Sequence, residues 1–248
     1  MKPTVNVSAT PTRRSSAEAC ASNGRASASS CVPAGVSGSS GIGLATAQAA
    51  RDAGAKVTIV SRKPQPQPGI ATHAADLTDP DAVAATFRAI GVIDHLVYTA
   101  GEPLELMKIS TLDRDRARTF FGLRYFSVLD AVKAADVTTS ITLTTGIAKD
   151  RPEPGWAVAA SICGAVEALT KALAVELAPL RVNAVSPGVV RSPLWGPDAE
   201  QLYADVGRTL PLHRVGEVEE IAHAYLYLMT QPWATGTILT VDGGTVIA

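Results

Sequence analysis

The chain has 248 residues, 46% hydrophobic and 18% charged, enough for one sizeable core and in keeping with a single α/β domain. A net charge of -1 excludes the basic field that nucleic-acid binding needs, and no apolar run approaches the roughly 18 residues of a membrane span. The 3 cysteines (Cys20, Cys31, Cys163) and 4 scattered histidines fit neither a disulfide framework nor a metal-ligand spacing, so the expectation is a reducing cytoplasm and no metal.

Residues 1–30 are rich in Ser, Ala and Thr and lack apolar periodicity; Glu18 is their one acid, against Lys2, Arg13, Arg14 and Arg25. So little apolar surface cannot offset the entropy of ordering, and the segment reads as disordered. Three origins fit it: a dispensable tail, an acid-poor organelle transit segment, or an altered reading frame upstream of the body.

The body then alternates. Residues 41–53 read as a helix, 56–60 as a strand and 71–75 as a short strand. The Asp-Pro-Asp run at Asp79 opens a helix to 90, with Pro80 in its first turn. A buried strand at 94–99 is followed by a long helix at 112–134, a strand at 140–145 and a helix at 156–177 that is apolar on more than one side. A strand at 181–185, a helix at 217–229 and a last strand at 237–241 complete the pattern. Strand–helix alternation with apolar strands predicts a parallel sheet covered on both faces.

The stretch Val36-Ser37-Gly38-Ser39-Ser40-Gly41-Ile42-Gly43 stands just before the first helix. Small residues let the backbone approach a pyrophosphate, and the helix N-terminus offers the anion free N–H groups and a positive dipole end. The strand that follows ends at Ser61-Arg62, the spacing of a βαβ unit. A hydroxyl and the cations Arg62 and Lys63 suit a 2′-phosphate, which favours NADP(H) over NAD(H); the plain alternative is a pair of solvated loop charges.

The run GSSGIGLATAQAARDAGAKVTIVSR resembles the cofactor-binding half of the short-chain dehydrogenase/reductase family, and the likeness extends from Gly38 to Gly244. It implies a Rossmann-like doubly wound parallel sheet in a single domain over 31–248. Its first strand is expected at 28–35, where ASSCVPAG puts Pro33 in a central strand that Pro suits poorly. The resemblance implies that Gly38, Ser39, Ser40, Gly41, Ile42 and Gly43 hold the pyrophosphate and Ser61 and Arg62 the adenosine ribose end. Asp76-Leu77 would meet the adenine. Ala100-Gly101 matches the second half of the family's Asn-Asn-Ala-Gly turn, with Tyr98 and Thr99 as departures. Pro187, Gly188, Val190 and Ser192 fall in the segment that meets the nicotinamide carboxamide.

The family's catalytic centre has a Ser ending the strand after the long helix, a Tyr and a Lys one turn apart on the next helix, and an Asn from the long helix. Thr145 stands at the Ser position and Arg124 near the Asn position. Anchoring on GAVEALTKALAVELAPLRVNAVSPG at 164–188 puts Cys163 at the Lys position and Ala159 at the Tyr position. Thr145 retains a hydroxyl to donate, and Arg124 could stabilise a developing alkoxide but cannot release a proton. Cys163 reads as a nucleophile or as a small packing residue. The charged turn Lys149-Asp150-Arg151 either edges the substrate pocket or is a solvated loop. Residues 193–210, with Trp195 and Tyr203, match the variable substrate loop and would make a partly apolar lid.

The expected function is therefore an NADP(H)-dependent oxidoreductase with an altered centre, acting on a small carbonyl or alcohol as a homodimer or homotetramer. The alternatives are an idle nucleotide-binding subunit or sensor, and a non-redox isomerase or cyclase.

Overall fold

The computed structural model describes residues 33–248; the segment 1–30, with its expected disorder, lies outside the described residues. The strands are β1 (Pro33–Ser37), β2 (Lys56–Ser61), β3 (Ile70–Ala74), β4 (Val92–Tyr98), β5 (Asp136–Thr144), β6 (Arg181–Pro187), β7 (Val190–Arg191), β8 (Gly216–Glu217) and β9 (Ile238–Val241). The helices are α1 (Gly41–Asp52), α2 (Pro80–Ile90), α3 (Arg114–Phe121), α4 (Ser127–Ala134), α5 (Ala157–Glu176), α6 (Glu200–Thr209) and α7 (Val218–Thr230). A 7-stranded sheet runs in the order β3-β2-β1-β4-β5-β6-β9, every pair parallel. The described residues enter this sheet in its middle at β1, wind one way to β3, then cross back to β4, as the expected doubly wound fold requires. β7 and β8 form a separate 2-stranded ladder beside it.

Period-2 alternation divides the core. Val57 and Ile59 of β2 join Ala47, Ala50, Ile221, Tyr225 and Leu228 on the face covered by α1 and α7, while Val60 points to the other cluster. That second cluster takes Val83 and Phe87 from α2, Phe120 from α3, Val128 from α4 and Ile162 and Val166 from α5. By length and composition α5 could cross a membrane, contrary to the reading that no apolar run comes near that length; its buried face packs on the sheet instead.

Two expectations need correction. The first strand is described over Pro33–Ser37 and so runs past its expected end at 35, while its expected start at 28 lies outside the described residues. Pro33 is tolerated because it is paired on one side only: it stands opposite Lys56 of β2, while the described β4 ladder runs from Ala34, opposite His95. Its missing N–H thus falls where the described ladder has one flanking strand, a position that Pro tolerates. The long helix 112–134 is also not continuous. Asp113 caps α3 by accepting from the N–H groups of Asp115 (2.9 Å) and Arg116 (3.0 Å), and a π-helical turn, Gly122–Phe126, separates α3 from α4. The Leu123 carbonyl, which an α-helix would offer to the Ser127 N–H, accepts instead from the hydroxyls of Ser127 (2.6 Å) and Tyr98 (3.0 Å), and the Ser127 N–H turns to the Gly122 carbonyl.

His95 lies 7% exposed in β4, with its Nδ1 2.7 Å from the Ser140 hydroxyl of β5. Burial lowers its pKa, Asp94 opposes this, and Arg181 adds to it. The folded state therefore binds fewer protons than the unfolded chain just below pH 6.5. The stability tied to neutral His95 is fully present above that pH and is lost as pH falls through it. The urea midpoint is expected to drop between pH 7.5 and 5.5, and to drop less in His95→Gln. Equal drops in the two proteins would show that His95 is not the group responsible.

Candidate cofactor and active site

A cleft of about 1320 Å³ opens along the C-terminal edge of the sheet, above the β1/β4 gap where the winding reverses. At one end, α1 presents its N-terminus with no competing anion. Its N-cap, Ser40, makes no side-chain cap bond and the first turn holds no acid, whereas α2 is capped by Asp79 and carries Asp81 in its first turn. The N–H groups of α1 are thus left for a ligand. Gly38 and Gly41 adopt φ of 122° and 53°, and Gly38 lies against Gly43 so closely that a Cβ on Gly43 would meet the Gly38 carbonyl oxygen at 2.9 Å. Ser39 and Ile42 line the same loop, and Ser192 and Pro193 close onto it, each about 3.5 Å from where a Gly41 Cβ would be.

At the tip of β2, the Ser61 hydroxyl is buried without a hydrogen-bond partner and Arg62 and Lys63 line the cleft wall. Asp76 accepts from the Thr78 N–H (2.9 Å) and hydroxyl (2.7 Å), which together with Arg62 hold its carboxyl below the usual range although slight burial opposes them. Leu77, beside it, is buried. Gly188 closes the far wall by lying against Asp242, whose Cα is 2.7 Å from where a Gly188 Cβ would be, and Pro187 ends β6 next to it. Val190 is buried in β7 against Gly216.

The other end gathers Thr145, Arg124, Cys163 and Ala159 around Ala100-Gly101 at the end of β4. The π-helical turn carries Arg124 over the Phe120 ring, 4.4 Å from guanidinium to centroid, and down onto Gly101, where a Cβ would lie 2.5 Å from Nη1. Arg124 Nη2 donates to the Glu102 carbonyl, and its Nε faces the Glu102 carboxylate at 3.7 Å. Burial pulls the Arg124 pKa down, while Glu102, Cys163 and Tyr98 pull it up. The Thr145 hydroxyl, expected as a donor, donates to the Cys163 carbonyl at 3.0 Å. Burial pushes the Cys163 thiol up, against the opposing pull of Thr145 and Arg124, which favours the packing reading over the nucleophile. In the charged turn, Lys149 pairs with Glu167 at 3.0 Å and with Asp150, while Arg151 lines the cleft and donates to the Thr245 carbonyl. Tyr98 also lines the cleft, but its hydroxyl is bonded to Leu123 and Ser127, and burial raises its pKa.

The family model described as Enoyl-(Acyl carrier protein) reductase matches residues 35–246. The short-chain dehydrogenase/reductase ATR9 of Stachybotrys chlorohalonatus is 35% identical over 239 residues, spanning 84% of this chain and 94% of that protein. The chain is a member of the short-chain dehydrogenase/reductase family. Its fold agrees with that of a small-chain dehydrogenase in complex with NADPH (TM-score 0.75, 31% identity, 88% of this chain and 99% of the other). It agrees equally with MalC Reductase/Diels-Alderase from Malbranchea aurantiaca (TM-score 0.79, 28% identity, 88% and 96%). Short-chain dehydrogenases/reductases bind a nicotinamide cofactor, and the glycine cradle, the uncapped α1 N-terminus and the orphaned Ser61 hydroxyl fit one.

Three groups in this short-chain dehydrogenase/reductase escaped the sequence reading. Glu102 follows the Ala100-Gly101 turn directly and could have been found as a charge at the end of a central strand. Phe120 stands four residues before Arg124, a spacing that places the two one helical turn apart and could have been read from the 112–134 helix, whereas the Trp156–Trp195 ring pair, with centroids 6.2 Å apart, joins segments distant in sequence and carries no local signal.

Proposed function

We propose that the chain, as one NAD(P)-binding domain over 31–248, is an NADP(H)-dependent oxidoreductase with an altered catalytic centre that interconverts a small carbonyl compound and its alcohol. The observation that supports it most is continuity: one cleft runs from the glycine loop and Ser61-Arg62 to Thr145 and Arg124. When bound, NADPH supplies the hydride. The α1 N-terminus and the glycine loop hold the pyrophosphate, and Ser61 and Arg62 hold the 2′-phosphate. Asp76 and Leu77 flank the adenine, and Ala100, Gly101, Pro187, Gly188, Val190 and Ser192 shape the nicotinamide end. Arg124 stabilises the developing alkoxide electrostatically, and the Thr145 hydroxyl turns from the Cys163 carbonyl to donate to the substrate oxygen.

On this reading, Ala159 and Cys163 stand where the family's Tyr and Lys would be, and α5 gives no proton. Arg124 keeps its proton, so water reaching the cleft protonates the product oxygen. The missing general acid slows the step by roughly 10²–10⁴-fold. Fluorescence titration with NADPH, followed by turnover across ketones and quinones, tests the proposal. Tight binding with no turnover would replace it with an idle nucleotide-binding protein. Binding with cofactor-independent ring closure would replace it with a cyclase, a reading favoured by the likeness to a protein described as a Reductase/Diels-Alderase.

The same reading predicts that Arg62→Ala weakens NADPH about 10- to 100-fold, the worth of a charge-assisted contact, and changes NADH little. Equal losses for both cofactors would remove Arg62 as the phosphate ligand. A cytoplasmic homodimer or homotetramer completes the proposal. Phe126, Val175, Tyr227 and Trp233 are apolar and exposed, which supports association, and light scattering of the purified chain tests it.

A further inference from the structure

The substrate end of the cleft carries a buried donor that no group in the described residues uses. Trp195, in the turn Pro193–Trp195, lines the cleft, and its indole Nε1 is buried without a hydrogen-bond partner. A buried N–H left unmade is costly, so such a group signals a ligand that completes it. The indole is firmly held. It packs on Trp156 with the rings tilted by 49°, and it also packs against the cluster of Ala199, Tyr203 and Val215. The neighbouring Leu194 carbonyl accepts from the Leu104 N–H at 3.0 Å, which ties this turn to the segment after β4. The Tyr203 hydroxyl bonds the Ser192 backbone N–H and carbonyl, each at 3.2 Å. The donor is therefore fixed before a ligand arrives.

Leu104, Phe120, Leu202 and Leu210 line the cleft with the two indoles. Aromatic faces reward a rigid conjugated ring, which gains contact without the ordering cost of a flexible chain. We propose that Trp195 is a specificity-determining residue: its Nε1 donates to an oxygen of a flat, ring-based ketone or quinone lying against the Trp156–Trp195 wall. This rests on reading the cleft as an oxidoreductase site and adds the substrate class to it.

The test is calorimetric titration of 9,10-phenanthrenequinone and of phenanthrene onto the protein, alone and saturated with NADP⁺. Trp195→Phe removes the donor and leaves a smaller aromatic ring in the wall. In that variant, quinone affinity is expected to fall about 3- to 10-fold more than phenanthrene affinity, the difference being the lost donor. Trp156→Phe, which alters the wall and leaves Nε1 in place, is expected to weaken both ligands alike. Equal losses in Trp195→Phe, no loss of the quinone, or no quinone binding by the parent protein overturns the proposal. NADP⁺ binding is measured first in the same samples. Its absence overturns the oxidoreductase reading instead, and the quinone titration on nucleotide-free protein still decides the role of Trp195.

Discussion

Gly43→Ala is expected to reduce NADPH affinity at least about 100-fold and to lower stability by about 1–3 kcal/mol, the usual cost of overpacking. The added Cβ would stand 2.9 Å from the Gly38 carbonyl oxygen and 3.1 Å from the Gly38 Cα, with the Thr99 hydroxyl closer still. Two of these obstacles are backbone and cannot swing aside, so the loop itself must open, and its N–H groups leave the pyrophosphate position. The control is Gly164→Ala on α5, where nothing lies within 4 Å; there alanine's better helix propensity predicts about 1 kcal/mol of added stability and unchanged binding. NADPH fluorescence titration and thermal melts read both variants. A Gly43→Ala protein that binds NADPH like the parent would show that the loop does not cradle phosphate.

The second large effect is expected at Arg124. Arg124 and Glu102 are each about four-fifths buried at the side chain, and Arg124→Met would strand the Glu102 carboxylate without its counter-charge. Breaking such a pair from one side costs about 3 kcal/mol, whereas removing both charges is far milder. Arg124→Met should therefore lower the urea midpoint sharply, and Arg124→Met/Glu102→Gln should recover most of it. Activity separates the roles: if the guanidinium stabilises the alkoxide, turnover falls about 10²- to 10³-fold in both variants, because the double mutant restores stability without restoring the cation. Recovery of turnover in the double mutant would reduce Arg124 to a structural residue. The same geometry explains Gly101: any side chain there would occupy the space of the Arg124 guanidinium.

Much of the fold was legible because it is written locally. The period-2 apolar strands, the Asp79 cap ahead of Pro80 and the glycine loop before α1 each announce an element from neighbouring residues alone. The place of Pro33 in β1 was hidden because its effect depends on the partners: a missing N–H is harmful in a strand flanked on both sides but tolerable where one side is paired, and only the pairing register tells which applies. The break in the 112–134 helix was hidden for a similar reason. Ser127 is an ordinary helical residue until Tyr98, from another strand, joins it on the Leu123 carbonyl and the hydrogen bonding shifts by one residue.

The candidate site divides along the same line. The sequence alone located the glycine loop before α1, the Ser61-Arg62 pair, Thr145 and Arg124, and Ala159 and Cys163 on α5, since each belongs to a contiguous motif or a fixed helical spacing. The tertiary structure alone decided what those side chains meet. It committed the Thr145 proton to the Cys163 carbonyl, set Arg124 between Gly101, Phe120 and Glu102, and left the Trp195 indole N–H buried without a partner. Hydrogen bonds, ion pairs and burial are properties of groups brought together from distant parts of the chain, so only the folded arrangement of the sheet and its loops could reveal them.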